Sequence, residues 1–286
     1  MLKFNLSVCV LAMASLSLFF SCNKEENESD TEYKTYNNHI ELSGEENFRD
    51  LGGIVCSDGR RILYRKLFRS GELSGLTEND STKVANLGIE QMFDLRTPEE
   101  VAVNPDKVSP NTKVYFFPLI SDSESSTSDI ISGKISIDEF MYPTYTVDAN
   151  KTAMWTKIFD LLETGKVSHW HCTSGKDRAG MTAVLLLHAL GANKETAIEN
   201  FMASNAYLSE SADSFVEHTA QIMIAQGYDS DKAYAIAEKL KPLCLVRLNW
   251  IEHFYASIEE QYGDMDSYLD TLGIDREALR KAYLEE

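Results

Sequence analysis

The stretch His171-Cys172-Thr173-Ser174-Gly175-Lys176-Asp177-Arg178-Ala179-Gly180 decides the reading of this chain. Before it, Lys166 to His171 reads as a short strand. After it, Arg178 to Leu190 reads as an apolar helix closed by Gly191. The loop therefore sits at a helix N-terminus, where unsatisfied N–H groups and the helix dipole both favour an anion. Gly175 and Gly180 allow close backbone approach. Cys172 lies at the rim of that site. Donors that hold an anion also favour a thiolate, the nucleophilic form of the side chain. Arg178, six residues on, carries a planar fork suited to two phosphate oxygens. Thr173, Ser174, Gly175, Lys176 and Ala179 complete the expected substrate contacts, and Lys176 adds a second local positive charge.

This constellation predicts phosphoryl transfer through cysteine, with no metal and no cofactor. Cys172 attacks phosphorus in line, the loop amides and Arg178 stabilise the equatorial oxygens, and water then hydrolyses the thiophosphate. An acid must protonate the leaving oxygen. Asp177 is the first candidate, Asp94 at a strand end the second, and Asp122 or Asp129 the third. A carboxyl beside a bound dianion is pushed toward its protonated form, which suits that task. His171 is expected to fix the loop and tune the sulfur. Arg49, Asp50, Arg69 and Arg96 lie in otherwise apolar motifs and are expected to brace the site as a buried ion-pair network, the alternative being direct contact with substrate. His169 reads as a satisfied core residue rather than a catalytic one.

Outward from the loop, strands are expected at Ile62-Leu63-Tyr64, Leu67-Phe68-Arg69, Glu90 to Leu95 and Lys113 to Phe117. A helix ending near Gly88 feeds the third of these. Thr152 to Leu162 carries Met154, Trp155, Ile158, Phe159 and Leu162 on one helical face. Ser121 to Ser128 reads as a surface loop or flap. The alternation of strand and helix argues α/β with a helix-rich C-terminal half.

With 27 basic and 45 acidic side chains, the net charge is −18. Such a chain has no general basic face for nucleic acid, so any phosphate site must be locally positive. Five cysteines are present, at positions 9, 22, 56, 172 and 244. Two fall in or at the end of an apolar leader. The remaining three match neither a disulfide framework nor a metal-site spacing.

Residues 1–22 have a basic start and a short apolar run, the pattern of a signal peptide. Phe19-Phe20-Ser21-Cys22 resembles the lipobox of bacterial lipoproteins, which implies cleavage before Cys22 and its acylation. Residues 23–38 are polar and charged and read as a disordered tether. The expected product is a catalytic domain over 39–286, lipid-anchored at the cell envelope, on the periplasmic side or the cell surface.

At the loop the chain resembles the protein tyrosine phosphatase superfamily, and Gly175-Lys176-Asp177-Arg178 is similar to its bacterial atypical dual-specificity branch, whose members also act on phosphoinositides. Asn47-Phe48-Arg49-Asp50-Leu51-Gly52-Gly53 resembles that branch's first motif. Leu67 to Ser74 and Phe93 to Glu100 resemble the next two, and Tyr262 to Ile274 its C-terminal segment. The resemblance implies a central four- to five-stranded, mostly parallel sheet flanked by helices. It implies Cys172 as nucleophile, Arg178 as phosphate binder and Asp177 as acid, acting on a phosphorylated protein or a phosphoinositide. One departure stands out. The family places Thr or Ser after the loop arginine, where this chain has Ala179.

That departure motivates a second reading, a phosphate-binding relative with weak turnover. A third, a sulfurtransferase of the rhodanese kind, is disfavoured by His171 and by the spacing of Cys172 and Arg178.

Overall fold

The computed structural model describes residues 38–119 and 125–286. The expected signal peptide, most of the tether, Cys22 and Asp122 lie outside the described residues.

Five strands form one sheet: β1 (Arg49–Asp50), β2 (Leu67–Ser70), β3 (Gln91–Asp94), β4 (Lys113–Phe116) and β5 (Ser168–His171). Their spatial order is β1-β2-β5-β3-β4. Only β1 runs antiparallel to its neighbour; β2, β5, β3 and β4 are mutually parallel. The last strand in the chain is thus the middle of the sheet, and the loop after it leaves from the carboxyl edge, where open α/β sheets bind ligands.

Side-chain alternation gives the sheet two buried faces. Leu67, Phe93 and Trp170 point into the main core, whereas Phe68 and Met92 point into a smaller one with Phe48, Leu73, Leu76 and Val84. The smaller core lies under helix α1 (Glu78–Ala85), which Thr77 caps and which ends before Gly88, at φ +71°.

The remaining helices are α2 (Pro98–Val103), α3 (Thr127–Ser132), α4 (Ile137–Tyr145), α5 (Ala149–Leu162), α6 (Arg178–Leu190), α7 (Lys194–Met202), α8 (Ser204–Ala225), α9 (Ser230–Leu240), α10 (Leu248–Tyr262), α11 (Met265–Thr271) and α12 (Arg276–Tyr283). Helix α6 is buried along almost its whole length, which fits its unbroken apolar run through Val184 to Leu187. Gly191 closes it at φ +95°, a conformation that glycine adopts without strain.

Three expectations need correction. Ile62 to Tyr64 forms no strand: Ile62 makes a single bridge to Leu284, and Arg61 one to Val55. The chain turns at once, with Arg65 at φ +61°, stapled by its N–H to Asp50 at 2.6 Å. Thr127 and Ser128 belong to α3 rather than to a loop. The helix read from Thr152 begins at Ala149, because Asp148 caps it by accepting from the Lys151 N–H at 2.8 Å.

The middle strand is polar in sequence yet wholly buried. Most of its polar side-chain atoms find partners, the exceptions being the buried His169 Nδ1 and His171 Nε2. Gln91 donates to Ser168 Oγ at 2.9 Å, His169 Nε2 meets Ser70 Oγ at 2.7 Å, and Trp170 Nε1 donates to the Ala179 carbonyl at 3.0 Å. Burial, and then the neighbouring His171, keep His169 neutral.

Candidate active site

The loop from Cys172 to Asp177 folds into a bowl whose carbonyls all turn outward. The Cys172 carbonyl meets His171 Nδ1 at 3.3 Å, and the Thr173 carbonyl accepts from the Glu72 N–H at 3.0 Å. Asn47 Nδ2 donates to the Ser174 carbonyl at 2.9 Å. The Arg69 guanidinium donates to the carbonyls of Gly175, at 2.7 Å, and Lys176, at 3.4 Å. The Asp177 carbonyl takes the first helical bond, from Met181 N–H at 2.8 Å. Among the described residues, none of the amides from Thr173 to Arg178 donates to a protein acceptor. A peptide plane whose carbonyl is tied to the scaffold turns its N–H the other way, so the bowl presents donors and no acceptors.

Gly175 makes this turn possible. It sits at φ +70°, and a Cβ there would lie 2.3 Å from the Ser70 backbone. No other residue fits.

Cys172 is 2% exposed at the end of β5, within electrostatic reach of both Arg69 and Arg178. The Arg178 fork is held by Glu100 at 2.7 and 2.8 Å, and it also donates to Thr173 Oγ1 at 3.1 Å. Thr173 in turn donates to Glu100 at 2.6 Å. Burial opposes ionisation of Glu100, but Arg178, Thr173 and the Thr97 N–H outweigh it and hold the carboxyl at about 2. Glu100 sits where it does because it closes a capping box with Thr97 at the start of α2.

Asp177 accepts from Lys176 Nζ at 2.7 Å and, through its other oxygen, from the Tyr145 hydroxyl. Tyr145 is buried at the end of α4 against Phe201 and Trp250. Burial first, and the charge of Asp177 second, push its phenol well up, so it remains a donor.

Behind His171 lies a cage of charges. Arg96 donates to Asp94 at 2.8 Å, to Glu72 at 3.0 Å, and to Asp106. His171 Nε2 lies 3.4 Å from Asp106 and 3.8 Å from Asp94. Asp94, Asp106 and His171 have the donor types of a metal site. The Arg96 guanidinium already occupies the space between the two carboxylates, so this donor set does not fit a cation. Burial alone would raise Asp94, yet the Arg96 hydrogen bond and charge hold it ionised.

Residues 40–285 match the family model described as the tyrosine phosphatase family. The chain belongs to that family. Its similarity extends to a Cupriavidus necator protein named putative tyrosine-protein phosphatase, 26% identical over 83% of this chain and 85% of that one. The triple specificity protein phosphatase PtpB of Mycobacterium tuberculosis is 26% identical over 84% of this chain and 96% of its own. A tyrosine-protein phosphatase of Nostoc commune is 25% identical over 74% and 71%.

In this tyrosine phosphatase the residues singled out in the sequence separate into groups. Cys172, Thr173, Ser174, Gly175, Lys176, Asp177 and Arg178 share the bowl. Ala179 lies fully buried at the start of α6. Asp94 faces Arg96 rather than the bowl, a poor place for an acid. Asp129 is bound to Ser126 and Lys134 at the start of α3. Asp50 staples the turn at Gly52 and Arg65. Arg96 is ion-paired, but Arg49 and Arg69 are not: they donate to carbonyls, Asn47, Asn200 and Ser204. Sequence reading overlooked Glu100, Asn47, Asn200, Asp106 and Tyr145. Two of them had a signal: Asn47 opens the first family-like motif, and Glu100 ends another and completes the Thr97-Pro98-Glu99-Glu100 capping pattern.

Proposed function

We propose that this phosphatase hydrolyses phosphate monoesters, phosphotyrosine first among them, through a cysteinyl-phosphate intermediate on Cys172. The bowl of free amides facing a fixed guanidinium carries this reading. Cys172 sulfur forms a bond to phosphorus as the ester P–O bond breaks. Asp177 delivers a proton to the departing oxygen. The loop amides and Arg178 stabilise the three equatorial oxygens, and Glu100 holds the guanidinium so that little reorganisation is needed. In the second step water attacks phosphorus, Asp177 takes its proton, and the thiolate leaves.

The relatives' names support a phosphorylated protein as substrate. Phosphoserine, phosphothreonine and phosphoinositides are the other substrates we propose; Lys176, paired with Asp177 beside the loop, adds positive charge suited to a multiply phosphorylated headgroup. Turnover of para-nitrophenyl phosphate, phosphopeptides and phosphoinositides by residues 39–286 tests this, with Cys172→Ser as control. Loss of all turnover in Cys172→Ser is expected; persistence overturns the reading.

Ala179 favours a second reading, a phosphate binder with slow release of the phosphoenzyme. A thiolate leaving from Cys172 lacks the hydroxyl donor that the family places next to Arg178. Thr182, one turn on, spends its hydroxyl on the Arg178 carbonyl at 3.0 Å.

We also propose export and a lipid anchor on Cys22, supported by the leader sequence. No helix among the described residues is long and apolar enough to cross a membrane. Labelled palmitate should enter the wild-type chain and not Cys22→Ala.

A further inference from the structure

Two arginines lie side by side under the bowl. Arg49 and Arg69 are register partners in β1 and β2 and are almost completely buried. Among the described residues, neither forms a salt bridge. Arg49 donates to the Asn200 carbonyl at 3.0 Å and to Ser204 Oγ at 3.1 Å. Arg69 donates to Asn200 Oδ1 at 2.9 Å and to the Gly175 carbonyl at 2.7 Å. The Nε atoms of both have no partner.

Burying two guanidiniums without a carboxylate is costly. Their position adds to the cost. A Cβ on Gly180 would lie 3.0 Å from Arg69, so this cation presses on the first turn of α6, the positive end of the helix dipole. Besides burial, Arg49, Cys172, Tyr145 and Asp177 act electrostatically on Arg69, and Tyr207, whose ring centroid lies 5.5 Å from the Arg49 guanidinium, is a neutral neighbour of both arginines. Tyr145 stays a neutral phenol, and Asp177 is already shared with Lys176. The carboxyl nearest in effect to Arg49 is Glu45, which burial pushes up to about 7. The sulfur of Cys172 is also faced by the Arg178 guanidinium from α6 and the Tyr145 phenol from α4.

We propose that Arg69, with Arg49 behind it and Asn200 holding both, is a positioning residue whose uncompensated charge keeps the sulfur of Cys172 ionised. This rests on Cys172 being the nucleophile. The neutral side-chain amide of Asn200 is part of the device, because its Oδ1 binds Arg69 without cancelling the charge, while the Asn200 backbone carbonyl holds Arg49.

The test is alkylation of Cys172 by iodoacetamide, which needs no turnover, followed by mass spectrometry of the modified peptide. Near pH 6, Arg69→Gln should react roughly tenfold more slowly than wild type, and the difference should close near pH 10, where any thiol is ionised. Arg69→Lys, which keeps the charge but loses the fork, should stay within about twofold of wild type. Asn200→Asp guards against a fold defect. It keeps both guanidiniums, pairs Arg69 with a carboxylate, and should also slow alkylation roughly tenfold at the lower pH while raising Tm. The proposal is overturned if Asn200→Asp alkylates at the wild-type rate, or if Arg69→Lys is as slow as Arg69→Gln at both pH values. Turnover by Cys172→Ser would instead remove the underlying catalytic reading.

Discussion

Arg178 and Glu100 meet fork to fork, at 2.7 and 2.8 Å, across the mouth of the bowl. The pair is partly buried and doubly hydrogen-bonded, so the guanidinium is aimed before any ligand arrives. Glu100→Gln keeps the size of the side chain and removes its charge. The expected result is a fall in kcat/KM of about 10- to 100-fold, the scale of misplacing a group by an ångström. Steady-state kinetics on para-nitrophenyl phosphate checks it, and an unchanged kcat/KM would show that Glu100 does not set the arginine.

Asp177 and Tyr145 make a second test. Asp177→Asn should cost about 10²-fold or more with a poor leaving group such as phenyl phosphate, and less with para-nitrophenyl phosphate, whose leaving group needs no proton. Tyr145→Phe removes the hydroxyl that orients Asp177. Its loss should follow the same leaving-group trend at smaller amplitude. Equal losses on both esters would point to a structural defect instead.

Ala179 predicts the kinetic course. Wild type should release a burst of leaving group close to one equivalent and then turn over slowly. Ala179→Thr should raise the steady-state rate and shrink the burst. Rapid-quench measurement separates the two phases, and an unchanged steady state in Ala179→Thr would remove the hydroxyl argument.

Glu45 and Glu72 set a pH dependence of stability. Burial pushes each carboxyl up from 4.5 to about 7. The folded chain therefore holds protons that the unfolded chain releases between these values. The stability these two groups contribute is fullest below 4.5 and is lost as pH rises through about 7. Glu45→Gln keeps an acceptor for the Gly71 and Asn47 N–H groups and cannot ionise. Its stability relative to wild type should improve between pH 5 and 8, by up to about 3 kcal/mol. Urea unfolding at the two pH values reports this; a constant difference between the proteins would show that Glu45 does not titrate there. Glu100 acts in the opposite direction: its contribution holds above 4.5 and is lost only as pH falls toward 2.

The bowl and its helix were legible in the sequence because local rules govern them. Arg178 to Leu190 and its Gly191 stop follow from apolar periodicity and glycine's left-handed freedom. Glycine at 175 and the charges of the loop announce themselves by spacing alone. The supports were not legible. Asn47 and Asn200 reach the loop from 127 residues before Ser174 and, through Arg69, from a helix beyond it. No local pattern marks an asparagine that will donate to a distant carbonyl. The expected ion-pair network divides for the same reason. Arg96 has acids close by in sequence, in Asp94 and Asp106, whereas the partners of Arg49 and Arg69 are chosen by the tertiary fold. Ile62 to Tyr64 misled because apolar and aromatic composition marks burial as readily as strand.

The most direct test of the central claim is to quench the wild-type reaction with acid during the burst and map the phosphoryl group by mass spectrometry. One phosphoryl group on the peptide containing Cys172, absent from Cys172→Ser, is the expected result. A phosphoryl group on another residue, or steady turnover by Cys172→Ser, would contradict it.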